Sequence, residues 1–179
     1  MKKLQVFDLD DTMLRIPTFA AVSPIDSRKI YNSDPYQFYD SPESLDCSKY
    51  NIQLIEPVYE KYLNAKDIAY QVLITHRVGD LMEQLFFILD AVDINFNHVS
   101  MLGRKSKKAI VVNKILEQYS TIEEIEIFED SLVQIDEYQK GLNLKPGQKL
   151  TFWFVDKSKI FKLGNIIISE EERINLKTL

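Results

Sequence analysis

The sequence predicts a three-layer α/β fold in which helices cover a parallel sheet of about five strands. Three observations predict it. Short runs rich in Val, Ile and Phe alternate with longer segments whose apolar residues recur at helical spacing. Polar and acidic residues follow the short runs rather than interrupt them. Hydrophobic residues make up 45% of the 179 positions and charged residues 27%, which is enough for a real core and excludes a disordered chain.

The elements follow in order. Leu4 to Asp8 reads as a first strand running into carboxylates. Residues 13–56 have a different texture and are expected to form an irregular insert over the site, within one domain spanning 1–179. Pro17, Pro24, Pro35 and Pro42 break up that stretch, while Tyr31, Tyr36, Phe38, Tyr39 and Tyr50 suggest that it packs down. Pro57 to Leu63 and its flanks form an amphipathic helix, and Ala69 to Thr75 a second strand. Asp80 to Leu89 is the next helix, with Leu81, Leu85, Ile88 and Leu89 on one face. His98 to Leu102 is a short third strand, and Lys107 to Gln118 a helix with a face at Ile110, Val111, Lys114 and Ile115. Glu124 to Phe128 is a fourth strand. Ser131 to Lys140 is a helix stopped by Gly141, and Lys149 to Val155 a fifth strand. Strands and helices in this alternation imply right-handed crossovers, with ligands taken at the carboxyl ends of the strands.

Bulk properties narrow the function. The net charge of −5 argues against a broad non-specific nucleic-acid surface. Arg104, Lys105, Lys107, Lys108 and Lys114 nevertheless fall together, and Glu117 through Glu137 carries acids and no base. No apolar stretch is long enough to cross a membrane, and the N-terminus reaches a carboxylate before a signal-peptide core could form. The single Cys47 cannot make an internal disulfide, so the expected location is intracellular and cytoplasmic, with the nucleus left open. Two histidines, His76 and His98, have no zinc-site spacing.

The strand ends carry the chemistry. Asp8-Leu9-Asp10-Asp11-Thr12 follows the first strand, Thr75-His76-Arg77 the second, and Glu129-Asp130-Ser131 the fourth; Lys107 and Lys108 open the third helix. This set resembles the four motifs of the haloacid dehalogenase-like superfamily: Asp-x-Asp-x-Thr after a strand, a strand ending in Thr, a helix-borne Lys, and a strand ending in acids. The resemblance spans residues 4–138 and implies a Rossmann-like core and a magnesium-dependent phosphohydrolase. In it, Asp8 is the nucleophile and Asp10 the general acid/base. An Asp at position 10 marks the phosphatase side of the superfamily. Magnesium would be held by Asp8, the backbone carbonyl of Asp10, and Asp130, with Glu129 as the alternative to Asp130. Thr75 would hydrogen-bond the phosphate, Arg77 would touch substrate, and a lysine would neutralise it. Lys105, Lys107, Lys108 and Lys114 all compete for that last role; Lys108 stands eleven residues before Tyr119, a spacing that resembles a narrower branch of the superfamily, the Swiss Army Knife RNA repair-like one, and that resemblance implies Lys108.

Three further stretches resemble the Swiss Army Knife RNA repair-like branch of that superfamily. They are Leu14-Arg15-Ile16-Pro17, the run from Tyr39 to Leu45, and the run from Tyr119 to Asp130. Ser131 stands where that branch has Arg, and Gln134 where it has His, so the branch's substrate preference is not carried over. The expected partner is a phosphorylated substrate: a nucleic-acid end, a phosphoprotein or a small molecule. The alternative function is a non-catalytic module that binds a phosphorylated partner.

Overall fold

The computed structural model describes residues 1–19 and 34–167. Pro24 and Tyr31 of the insert lie outside them. The strands are β1 (Lys3–Phe7), β2 (Leu14–Arg15), β3 (Gln53–Leu54), β4 (Ala69–Thr75), β5 (His98–Met101), β6 (Glu124–Glu129), β7 (Lys149–Asp156) and β8 (Lys159–Ile167). The helices are α1 (Pro35–Tyr39), α2 (Glu56–Ala65), α3 (Met82–Ala91), α4 (Lys108–Gln118) and α5 (Leu132–Gly141).

One sheet of six strands runs β5-β4-β1-β6-β7-β8, parallel except for the β7–β8 pair. The architecture is Rossmann-like α/β, as the sequence predicts, with one more strand than expected. The additional strand β8 folds back antiparallel on β7 through a two-residue turn, where Lys157 takes φ 58°. No Gly or Pro marks that turn, and Phe161 and Leu163 stay half exposed on the edge, so β8 lacks the usual hairpin signals.

Alternating side chains of the central strands divide the core. Phe7, Leu73 and Phe128 pack with Val58 and Tyr62 of α2 and with Leu85, Ile88 and Leu89 of α3. Leu4, Val6, Val72, Ile74, Ile125 and Ile127 pack with Val112, Ile115 and Leu116 of α4 and with Ile135 and Tyr138 of α5. The period of two along each strand thus feeds both helical layers. Ser131 caps α5 by accepting from the Gln134 amide at 3.4 Å. Gly141 lets α5 approach α4: a Cβ there would stand 2.9 Å from Cβ of Ala109.

The insert leaves and rejoins the core at one place. Leu14 pairs with Leu54 and Arg15 with Gln53, so β2 and β3 form a clasp at its base. Between them Phe38 is fully buried, packed by Phe19, Tyr39 and Tyr50. No helix among the described residues is long and apolar enough to cross a membrane.

Candidate functional site

The chain runs outward from β1 to β4 and β5, then returns through α4 to β6 on the other side of β1. That reversal opens a crevice at the carboxyl ends of β1 and β6. Asp8 immediately follows β1, Glu129 ends β6, and Lys108 opens α4 above them. Lys108 Nζ lies 2.6 Å from Asp8 Oδ1 and 2.7 Å from Glu129 Oε2. The side chain of Lys108 is only 3% exposed, so this ammonium belongs to the site and not to the surface. Lys105 and Lys107 are exposed.

Asp8, Glu129 and Asp130 each offer an oxygen within 4.8 Å of the others. Three carboxylates therefore cluster beside one ammonium, which bonds two of them, Asp8 and Glu129. Burial pushes the Asp8 carboxyl above the usual range, with Lys108 opposing that rise and Asp10 adding to it. Burial and then Asp8 push Glu129 well up, against Lys108. Asp130 is pushed up to about 6, by burial and by Asp8. Burial works against the charge on Lys108, but Asp8 and Glu129 outweigh it and hold the ammonium firmly protonated. An excess of buried hard-oxygen donors over positive charge is the donor set of a metal site, and this group could hold a metal ion.

Glu129 and Asp130 are not equivalent. One Glu129 oxygen accepts from Lys108, and the other accepts from the Ser131 amide at 3.3 Å. Asp130 is partly exposed and also borders an open cleft of about 560 Å³ that Asp11, Arg15, Asn51, Phe154 and Lys157 help to line.

Asp10 lies apart from the acidic group and faces Arg77. Arg77 Nε is 3.1 and 3.0 Å from the two Asp10 oxygens, and Nη2 is 2.6 Å from Oδ1. The other arm, Nη1, donates to the carbonyl of Tyr39 and to Ser44 Oγ in the insert. Thr75 is 1% exposed at the end of β4 and accepts from the Arg77 amide at 3.2 Å, which leaves its own proton to donate elsewhere. Asp11 sits in the turn after Asp10 at φ 53°, a conformation that Asp tolerates better than most residues. His76 meets the Ser106 carbonyl at 3.1 Å, and His98 meets Ser100 Oγ at 2.8 Å on β5.

The fold thus collects Asp8, Asp10, Thr75, Arg77, Lys108, Glu129 and Asp130 at one end of the sheet. Sequence reasoning gave no part to Ser44 or to the Tyr39 carbonyl. The one available signal was the run from Tyr39 to Leu45, singled out there only as a point of resemblance.

No family model matches the chain, and no curated protein matches it in sequence. Among solved structures it is similar to a chain of the Pnkp1/Rnl/Hen1 RNA repair complex, at a TM-score of 0.51 and 17% identity, over 80% of this chain and 41% of that one. A likeness to a chain in another structure of the Pnkp1/Rnl/Hen1 complex has a TM-score of 0.49 and 16% identity, over 79% of this chain and 44% of that one. At such identity the first likeness speaks to the fold. The chain spans less than half the length of the chains it matches.

Proposed function

We propose that this chain is a phosphohydrolase of the haloacid dehalogenase-like type, acting on a phosphomonoester through an aspartyl-phosphate on Asp8. The observation that carries the reading is the buried Asp8–Lys108–Glu129 group, with Asp130 beside it, at the strand ends.

Asp8 has the position of the nucleophile. Its carboxylate is 8% exposed and oriented by Lys108, so one oxygen is fixed while the other can attack phosphorus. Attack forms a bond between the Asp8 oxygen and phosphorus and breaks the ester bond to the leaving oxygen. Asp10, two residues on, gives that oxygen a proton and then takes one from the water that hydrolyses the acyl phosphate. The Lys108 ammonium and the Thr75 hydroxyl balance the charge on the phosphoryl oxygens. Glu129 orients Lys108, and Asp130, the more accessible carboxylate, would hold a metal ion together with Asp8 and the backbone carbonyl of Asp10. Magnesium is the ion we assign, because it favours hard oxygens and supplies the positive charge that lets an anionic nucleophile approach an anionic phosphate.

The substrate class to test first is a phosphorylated nucleic-acid end. The three sequence stretches described above suggest it, and so does the likeness to a chain from an RNA repair complex. Phosphopeptides and small phosphoesters are the comparison set. The test is release of phenol from an aryl phosphate with and without magnesium. Turnover should stop on chelation and return with magnesium, and calcium should restore it poorly. Turnover that survives exhaustive chelation would remove this reading. Phosphate binding with no turnover would leave the non-catalytic module in its place.

A further inference from the structure

Asp10 must be held near the leaving oxygen, yet it lies outside the grip of Lys108. What holds it is Arg77, and what holds Arg77 is the insert. The Arg77 side chain is 2% exposed, against 33% for Asp10. A guanidinium so buried needs an acceptor on each arm. One edge is spent on Asp10 through Nε and Nη2. The hydrogens of Nη1 go to the Tyr39 carbonyl and to Ser44 Oγ. The Tyr39 ring also lies 5.2 Å from the guanidinium carbon. Ser44 is itself fully buried and fixed by its bond to the Ser41 carbonyl at 2.8 Å. A second strap runs the same way: Arg104, after β5, bonds Asp40 and covers the Tyr36 ring at 4.3 Å. The run from Tyr39 to Ser44 is therefore a seat for Arg77.

We infer that Arg77 is a positioning residue, not a phosphate ligand, and that with Ser44 and the Tyr39 carbonyl it ties the position of Asp10 to the seating of the insert. The inference rests on the phosphohydrolase reading above. A planar fork fixes both the direction and the distance of a carboxylate, which an ammonium on a flexible stem does not. Arg77 thus gives Asp10 a fixed orientation, and the insert sets that orientation from the far side.

The experiment compares two substrates in one preparation of the full chain with magnesium: an activated aryl phosphate and an alkyl phosphate. The alkyl leaving group needs the proton from Asp10, and the aryl group leaves with little help. The ratio of the two kcat/KM values cancels the fraction of protein that is folded. Arg77→Gln and Arg77→Lys should each lower the alkyl-to-aryl ratio by at least about 10-fold, a part of the ~10²–10⁴ that a placed acid contributes. Ser44→Ala should shift the ratio the same way by about 2–10-fold, the worth of one hydrogen bond. Inhibition by inorganic phosphate should stay within about twofold in every variant, since the relay bears on Asp10 and not on the phosphate subsite. Equal loss on both substrates with weaker phosphate inhibition would make Arg77 a phosphate ligand and overturn the inference. A ratio that moves in the Arg77 variants and stays fixed in Ser44→Ala would overturn the link to the insert. Lack of turnover by the wild-type chain would instead remove the phosphohydrolase reading, and the relay with it.

Discussion

Gln5, Gln71 and Glu126 stand side by side on β1, β4 and β6, three residues upstream of Asp8 and Glu129 on their own strands. Both groups are polar and set into the same sheet, but they are built differently. In the glutamine group the polar atoms answer one another. Gln71 Nε2 donates to Gln5 Oε1 at 2.8 Å and to the Tyr62 carbonyl at 2.7 Å. Gln5 Nε2 donates to Glu126 Oε2 at 2.9 Å, and Lys3 meets the same carboxylate at 2.8 Å. Burial pushes the Glu126 carboxyl up, but Lys3 and Gln5 outweigh it and leave it below the usual range. In the strand-end group, Asp8 and Glu129 remain above that range despite Lys108. Burial is common to both groups; what differs is the balance of charge, which the glutamine group closes and the strand-end carboxylates leave open, a pattern that marks a candidate site.

The predictions press on that contrast, from the largest effect down. Asp8→Asn removes the proposed nucleophile and should cut turnover of an aryl phosphate by up to roughly 10⁶-fold. Its melting temperature should scarcely move, because Lys108 keeps Glu129 as a partner. Measurable aryl phosphatase activity in that variant would put the working charge elsewhere. Asp10→Asn should lose about 10²–10⁴-fold at the second step, giving a burst of product and then near arrest, with phosphate retained on the protein. Rapid-quench kinetics would show the burst. Asp11→Asn should do far less, and an equal loss there would mean the roles are misassigned.

Lys108→Met leaves two buried carboxylates without their cation and should cost about 3–5 kcal/mol in denaturant unfolding. A loss well under that range would mean the group is more hydrated than its burial implies. Gln71→Leu strands Gln5 Oε1 and the Tyr62 carbonyl, and should cost about 1–3 kcal/mol of stability. Turnover per folded molecule should not change. A change in kcat there would blur the distinction between the two groups.

Much of this was legible in the sequence, for definite reasons. Asp8 and the Glu129–Asp130 pair stand out because apolar residues run directly into them, and a strand's end is where ligands bind; of the pair, the resemblance implies Asp130 as metal ligand, with Glu129 the alternative. Lys108 stands out only through a spacing to Tyr119 that resembles the RNA repair-like branch; no propensity separates it from Lys105 or Lys107. Its burial depends on how α4 crosses above β1 and β6, which is a tertiary property. Glu129 and Asp130 are adjacent acids, and only the fold shows that one faces Lys108 while the other faces the cleft. The partner of Arg77 was not legible at all. Asp10, Tyr39 and Ser44 come to it from distant parts of the chain. Strand β8 was missed because its turn uses Lys157 and Ser158, without the Gly, Pro or Asn that marks a tight hairpin most strongly, and Ser alone is a weak signal.

The clasp between β2 and β3 has a consequence for how this chain can vary. Leu14 pairs with Leu54 across it, so residues 16 and 52 leave from one small two-stranded sheet beside the main one. Closing a longer excursion costs little: each doubling of a flexible loop adds only about 0.6 kcal/mol. Segments of other lengths could be grafted there with the sheet unchanged, provided the graft still presents a carbonyl and a hydroxyl to Arg77. Selection could then exchange the segment beyond the clasp while the acidic group at the strand ends stayed as it is.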